Sequence, residues 1–277
     1  MPFERANGVS AFDIKRSRDA YARRVYERFS HFTKGEQLFL YEVWARSGLP
    51  TENVTAVYPF ASVAELRARG FDTRGLVIDP AGLFYPNLGA ICFKTDLFLH
   101  TNWKIKFNGV GYEMKWATSE TLIHELAHSC SPSIYPETKR SIAENKRNYF
   151  GGEEGRLATL DLLDRMSWGI LSKGYRVNDY HHYNYAMYRA GRMTREQYLD
   201  EVFAIFVQFM FTRLNFLENQ VKMGLVDRAD ADLFYRIMAS LTKCSIPKLH
   251  ERIHRTADMA SREAAYFKHL GIGRVAA

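Results

Sequence analysis

The chain has little of what marks membrane-spanning, exported or disulfide-bonded proteins. No apolar run approaches the ~18 residues that a membrane helix needs, and the opening residues, MPFERANGVSAFDIKRSR, lack the apolar core of a secretory signal. Its three cysteines, Cys92, Cys130 and Cys244, are odd in number and far apart, which favours free thiols in a reducing compartment. The sequence therefore predicts a protein that makes no membrane contact. It would act in the cytoplasm, or inside a host cell after export by a route that is independent of a signal peptide.

Internal repeats, low-complexity linkers and concentrated charge runs are also missing. Hydrophobic residues make up 47% of the 277 positions, which indicates a globular protein. The formal charge of +7 is spread among acidic residues in stretches such as KRSRDAYARRVYERF, so it favours solvated helix surfaces. A nucleic-acid partner is disfavoured on that ground, while an acidic partner stays open.

What the sequence does contain is a metal-binding pattern in residues 121–130, TLIHELAHSC. On a helix, His124 and His128 lie about 6 Å apart along the axis and can point both imidazoles at one ion. Glu125 lies about 100° round the helix, where it can accept a proton from a water at the ion without being a ligand itself. This division of roles is typical of HExxH zinc hydrolases.

A second literal match shows that the pattern alone proves little, because residues 250–254 read HERIH. The first copy is surrounded by uncharged residues, whereas the second contains Arg252 and is flanked by Lys248 and Arg255. Pro247 suits a helix start just before the second copy. We therefore predict a zinc site at the first copy and surface histidines at the second.

A catalytic zinc needs a third protein ligand. Histidine is missing between positions 129 and 180, so the candidates are acidic: Glu144, Glu153, Glu154, Asp161, Asp164, Asp200 and Glu201. Glu201 is favoured because it opens the apolar run VFAIFVQF, where an unpaired carboxylate is costly to bury and a cation compensates it. Ala204, one turn later, would let two helices approach around the ion. Glu153 and Glu154 stay as alternatives, as does an ion pair between Glu201 and an arginine such as Arg195 or Arg189.

Hydrophobic periodicity predicts an α+β fold that is predominantly helical. Helices are predicted as a pair in residues 11–47, at 63–69, at 157–172, from Thr194 with a capping box completed by Gln197, and from Ala229 to about His269. Strands are predicted at 55–58, 76–78 and 90–99, followed by a hairpin at 104–114 with an Asn-Gly turn. A small mixed α/β lobe is therefore expected before the motif helix.

The segments LIHELAH, ending at His128, and DEVFAIFVQFMF, which contains Glu201, together resemble the gluzincin peptidases. Within that group the chain looks most like the Mlc titration factor A family and the catalytic domain of anthrax lethal factor. The resemblance covers roughly residues 90–245. It implies a zincin-like fold with a small mixed sheet above the HExxH helix, one Zn2+ per chain held by His124, His128 and Glu201, and peptide-bond hydrolysis. It also implies an edge strand, within residues 90–99, that pairs with extended substrate.

Residues 1–89 resemble no family that can be named, and we expect the chain to divide where the resemblance begins. Residues 1–89 would be a helical and mixed α/β part of the same domain. Residues 90–277 would be the zincin-like catalytic core, with an insertion at about 130–190 that shapes specificity.

The implied mechanism uses zinc to polarise the scissile carbonyl and to lower the pKa of its bound water to about 7. Glu125 would move the proton of that water to the leaving amine. The oxyanion needs a further donor. Relatives place a tyrosine just before the glutamate helix, where this chain has Thr194, so Tyr188 is the candidate. The alternatives are Tyr185, Tyr198, His181 and His182.

The leading hypothesis is a zinc-dependent endopeptidase that acts on a protein substrate, in the manner of a bacterial effector or toxin protease. A second hypothesis is a regulatory zincin-fold protein that sequesters a partner. The third is a basic nucleic-acid-associated protein with an incidental HExxH. The oligomeric state is left open by the sequence.

Overall fold

The computed structural model describes residues 20–74, 80–94, 102–115, 117–133 and 149–272. Most of this part of the chain is helical, and the strands form a three-stranded sheet and a two-stranded hairpin, which confirms the predicted class. The helices are α1 (Ala20–Glu27), α2 (Lys34–Ser47), α3 (Val63–Ala68), α4 (Thr118–His128), α5 (Glu153–Leu171), α6 (Asp179–Arg189), α7 (Arg195–Thr212), α8 (Phe216–Lys222), α9 (Arg228–Leu241), α10 (Ile246–Ser261) and α11 (Glu263–Leu270). The strands are β1 (Ala56–Phe60), β2 (Gly82–Tyr85), β3 (Ala90–Lys94), β4 (Asn102–Phe107) and β5 (Val110–Lys115).

The predicted N-terminal helix pair is present as α1 and α2, although the first half of the predicted first helix lies outside the described residues. Gly48 ends α2 in the left-handed conformation, with φ of 68°, and its N–H donates to the carbonyl of Trp44. Phe29, Phe39 and Trp44 are fully buried and belong to the same hydrophobic cluster as the apolar residues of α4. The N-terminal helices therefore form one side of the core around the motif helix, while the division at residues 89 and 90 stays a prediction.

The three-stranded sheet has the order β1-β3-β2, with β1 parallel and β2 antiparallel to β3. The prediction that residues 90–99 supply an edge strand is wrong for Ala90–Lys94, because β3 is the central strand. The segment AICFK is buried at every position, as expected for a strand covered on both faces. The antiparallel outer strand is β2, which the sequence did not reveal. The predicted strand at 76–78 and residues 95–99 lie outside the described residues.

The predicted Asn-Gly hairpin is confirmed as β4 and β5. Asn108 and Gly109 have positive φ angles of 49° and 79°, as a tight hairpin turn requires. The hairpin packs on α6 through Tyr112, whose ring lies 5.7 Å from His182 and 5.5 Å from Tyr183. This contact holds α6 in place beside the motif helix.

The C-terminal third is a set of packed helices. Thr194 and Gln197 form the predicted capping box at the start of α7, and α7 is buried almost throughout. The helical stretch predicted from Ala229 is divided into α9, α10 and α11, with Lys243 in the left-handed conformation between the first two. Pro247 occupies the first turn of α10, as predicted. Among the described residues, every helix is too short or too polar to cross a bilayer.

Candidate metal centre

Helix α4, which carries the first HExxH copy, lies inside the protein. All of its residues from Thr118 to Ala127 are buried except Glu120. Its first turn is capped by the buried Glu263 of α11, whose carboxylate accepts the backbone N–H groups of Thr118 at 2.9 Å and Ser119 at 2.8 Å. A carboxylate at a helix N-terminus is favoured by the helix dipole. The C-terminal helix therefore fixes the start of α4, and the two histidines follow towards the other end.

Helix α7 packs against α4 and brings Glu201 to the two histidines. The Oε2 atom of Glu201 lies 3.4 Å from Nε2 of His124 and 3.8 Å from Nε2 of His128. The two Nε2 atoms are 3.1 Å apart. Ala204, one turn further along α7, is fully buried. Among the described residues, His124, His128 and Glu201 form the group whose ligand atoms, all within 4.8 Å of one another, converge closely enough to hold a metal ion.

The other nitrogen of each imidazole is held by an acceptor on α7. Nδ1 of His124 donates to Oε1 of Gln208 at 3.0 Å, and Nδ1 of His128 donates to Oδ2 of Asp200 at 2.8 Å. Because both partners accept, each neutral ring carries its proton on Nδ1 and keeps a lone pair on Nε2. Outer partners of this kind orient histidine ligands and raise their basicity.

When both histidines are neutral, the cluster contains a carboxylate oxygen and two imidazole lone pairs with no positive group to balance them. Oε2 of Glu201 is buried and forms no hydrogen bond among the described residues. When both rings are neutral, this oxygen faces two imidazole nitrogens whose lone pairs also point inward, and such an arrangement is unfavourable until a proton on His128 or a metal cation neutralises it. Two imidazoles and a carboxylate are a donor set suited to zinc. The residues present therefore fit a zinc ion.

The electrostatics of the cluster also favour positive charge. Burial alone would lower the pKa of His128, but the carboxylates of Asp200, Glu201 and Glu125 together raise that pKa to about 10. The same negative potential that holds a proton on His128 would attract a divalent cation.

Glu125 lies on α4 beside the cluster and is 5% exposed. Burial raises the pKa of its carboxyl group, and the two histidines oppose that rise. Strand β2 passes directly over it: a Cβ placed on Gly82 would lie 2.5 Å from Cγ of Glu125 and 2.7 Å from its Oε1. Glycine at position 82 therefore lets the outer strand approach the carboxylate.

Tyr180, in the first turn of α6, is the tyrosine that the structure brings to the cluster. Its ring meets the ring of His124 edge-on at a centroid distance of 5.7 Å. Burial and the negative charge of Glu201 raise the pKa of its hydroxyl group well above the usual value, although Asn184 opposes that rise. The phenol therefore keeps its proton at neutral pH.

Tyr188, the oxyanion candidate from the sequence, lies about 12 Å further along α6 than Tyr180. Its ring stacks on Tyr198 at 5.1 Å and lines a separate cleft. The position of Tyr188 does not favour the oxyanion role, and Tyr180 takes its place as the candidate.

The four alternatives to Tyr188 have other surroundings. Tyr185 packs on Tyr198. Ser167 bridges the hydroxyl of Tyr198 and Nε2 of His181, and burial lowers the pKa of His181 to about 3. His182 packs on the β4–β5 hairpin.

The alternative third ligands lie elsewhere. Glu153 is exposed and pairs with Arg156 at 2.6 Å, and Glu154 is exposed as well. Asp161 and Asp164 both pair with Arg195, so Arg195 does not serve Glu201. Asp200 is an outer partner of His128, and Glu144 lies outside the described residues.

The second HExxH copy lies on α10 and has different surroundings. Glu251 is exposed and pairs with Lys248 at 2.7 Å and Arg255 at 3.6 Å. His250 packs on the ring of Tyr235, and His254 is exposed. No convergent ligand group that includes His250 or His254 is found among the described residues.

Sequence reasoning gave no role at the metal cluster to three residues that the structure places there: Gln208, Gly82 and Tyr180. A polar Gln208 within an otherwise apolar helix, two turns after Glu201, was a usable signal, because a buried amide needs a partner. Gly82 and Tyr180 gave no comparable signal, since their roles depend on where β2 and α6 dock. No protein-family model, curated protein or solved structure matches the chain.

Proposed function

We propose that the chain is a zinc-dependent endopeptidase of the gluzincin type, with a zincin-like catalytic core. The observation that carries this proposal is the convergence of His124, His128 and the unpaired Glu201 oxygen beside the buried Glu125. A bound zinc ion would polarise the scissile carbonyl and make an attacking water more acidic.

Glu125 is the general base. Its carboxylate lies next to the cluster without belonging to the ligand group, which leaves it free to take the proton of the attacking water. Burial raises the pKa of its carboxyl group, which makes the carboxylate a better acceptor for that proton. Glu125 can then deliver the proton to the leaving amine nitrogen.

Tyr180 is the donor to the oxygen that gains negative charge. Its hydroxyl keeps its proton at neutral pH, because burial and Glu201 raise its pKa. A donor that is already in place stabilises the charge at little cost in reorganisation.

Strand β2 is suited to hold an extended substrate. It lies at the outer side of the three-stranded sheet as far as the described residues show, and Gly82 places it against Glu125. Backbone hydrogen bonds to such a strand would align a peptide past the general base without demanding particular side chains.

A comparison of new protein N-termini tests the proposal. A proteome would be incubated with zinc-loaded wild type and with Glu125→Ala. We expect a defined set of N-termini with the wild type alone, while both proteins carry about one zinc per chain. Cleavage that persists in Glu125→Ala would contradict the mechanism, and a partner that binds both proteins equally without being cleaved would favour a sequestering role.

A further inference from the structure

A second concave site lies between α5, α6 and the first turn of α7. It has a volume of about 590 Å3, which is in the range of pockets that bind ligands. On α6 it is lined by Tyr185, Tyr188 and Arg189, which lie nearer the C-terminal end of the helix than Tyr180. None of the metal-cluster residues lines it. We call this site the α5–α6 cleft.

The α5–α6 cleft presents aromatic surface to solvent. Trp168 on α5 is 56% exposed, which is unusual for so large an apolar ring. Tyr188 is partly exposed, and its ring stacks on the ring of the buried Tyr198, with the two rings 7° from parallel. Rigid aromatic rings that are exposed in a concavity are typical of binding hot spots.

Among the described residues, one of the cations that line the cleft has no carboxylate partner. Arg195 pairs with Asp161 at 3.1 Å and with Asp164 at 2.7 Å. Arg189, by contrast, is exposed and contacts the ring and hydroxyl of Tyr185, and it forms no ion pair with a carboxylate in the part of the chain that the structure describes. Arg165, also in the lining, is already paired with Asp230 at 2.8 Å.

We propose that the α5–α6 cleft binds a peptide segment in which an aromatic side chain adjoins a carboxylate. The aromatic ring would pack between Trp168 and Tyr188, and the carboxylate would accept two hydrogen bonds from the guanidinium of Arg189. A nucleic acid fits less well, because Arg189 alone cannot neutralise the several phosphates of a strand, whereas it can pair with a single carboxylate. This binding needs no metal and is independent of the proposed peptidase activity.

Calorimetric titration with N-acetyl-Tyr-Glu-amide tests the proposal on the full chain, once with zinc and once with a chelator. We expect millimolar or tighter binding that is the same in both conditions. N-acetyl-Tyr-Gln-amide should bind about tenfold more weakly, because a charge-assisted pair is lost. Arg189→Gln should lower the affinity for the glutamate probe by a similar factor. Trp168→Ala should abolish binding, whereas Leu157→Ala, which removes another exposed apolar residue of α5 outside the cleft, should leave it unchanged.

The indole N–H resonance of Trp168, identified by its loss in Trp168→Phe, should shift as the glutamate probe saturates the wild type. Absent binding, or equal affinity for the two probes, would overturn the proposal. A shift that follows protein concentration alone would assign the cleft to a second copy of the chain and would also overturn it. So would binding of a single-stranded oligonucleotide in place of the dipeptide.

Discussion

Residues 124–128 and 250–254 carry the same HExxH spacing in opposite surroundings. In the first copy both His124 and Glu125 are buried, at 3% and 5% exposure, and a second helix supplies an acceptor for each histidine. In the second copy Glu251 is exposed and held by Lys248 and Arg255. The spacing places two imidazoles on one helix face in both cases. The two copies differ in their neighbours: a second helix supplies acceptors to the histidines of the first copy, whereas the glutamate of the second copy pairs with basic residues of its own helix.

The contrast shows what a metal site needs beyond spacing. Glu201 provides a carboxylate oxygen without a hydrogen-bond partner at the first copy. Gln208 and Asp200 fix the tautomers of its two histidines. At the second copy no third ligand converges with His250 and His254 among the described residues, so a divalent ion would lack a complete ligand set there.

Glu125→Ala should lower peptide hydrolysis by about a thousandfold or more, because general base catalysis contributes ~10²- to 10⁴-fold. Zinc content should not change, since Glu125 is not in the ligand group. Glu251→Ala is the matched control and should leave both quantities unchanged. Both predictions are checked by measuring the turnover of a cleaved peptide together with the zinc content. Equal losses of turnover in the two variants would contradict a catalytic role for the first copy alone.

Glu201→Ala should weaken zinc binding by more than a hundredfold, since losing a ligand costs more than the ~10- to 100-fold lost with an outer partner. Competition with a chromogenic chelator measures the change. Glu153→Ala is the control, because Glu153 pairs with Arg156 at the surface. Unchanged zinc affinity in Glu201→Ala would contradict the proposed third ligand.

Gly82→Ala should reduce turnover by about a hundredfold while zinc binding stays normal. The added Cβ would lie 2.5 Å from Cγ of Glu125, so the general base must move, and a displacement of ~1 Å can cost that much. Gly111→Ala on β5 is the control, because its Cβ would meet no atom within 4 Å. Full activity of Gly82→Ala would show that β2 does not constrain Glu125.

Zinc binding at pH 7 should release about one proton from His128. The pKa of His128 is raised from 6.5 to about 10 in the metal-free protein, so the ring is protonated at pH 7 and must lose its proton to bind zinc. Zinc affinity should therefore rise by up to tenfold per pH unit between pH 7 and 10. Without zinc, the protonated His128 ring stabilises the folded protein. Its contribution to the free energy of unfolding is complete below pH 6.5 and is lost as the pH rises towards 10.

Calorimetry in buffers of different ionisation enthalpy counts the released protons. Asp200→Asn should reduce that number, because Asp200 is the leading cause that raises the pKa of His128. Proton release that is the same in Asp200→Asn and wild type would contradict this account.

Local patterns predicted much of the fold. The Thr194 capping box, the Asn108-Gly109 turn and the Pro247 helix start depend on nearby residues, and all three are present. The helix that carries the first HExxH copy and its burial could also be predicted, because the burial of α4 follows from its own uncharged side chains.

What the sequence did not reveal depends on contacts between distant segments. Strand β2 is four residues long and is defined by its pairing with β3, so alternation could not identify it. The choice between Tyr188 and Tyr180 was decided by the docking of α6, since both residues belong to the same aromatic-rich helix. Gly82 acquires its role only from the passage of β2 over α4.

Anomalous scattering from zinc-loaded crystals, collected on both sides of the zinc absorption edge, tests the central claim most directly. We expect one strong peak per chain, bounded by Nε2 of His124, Nε2 of His128 and the carboxylate of Glu201. A peak at His250 and His254, or none at the first copy, would contradict it.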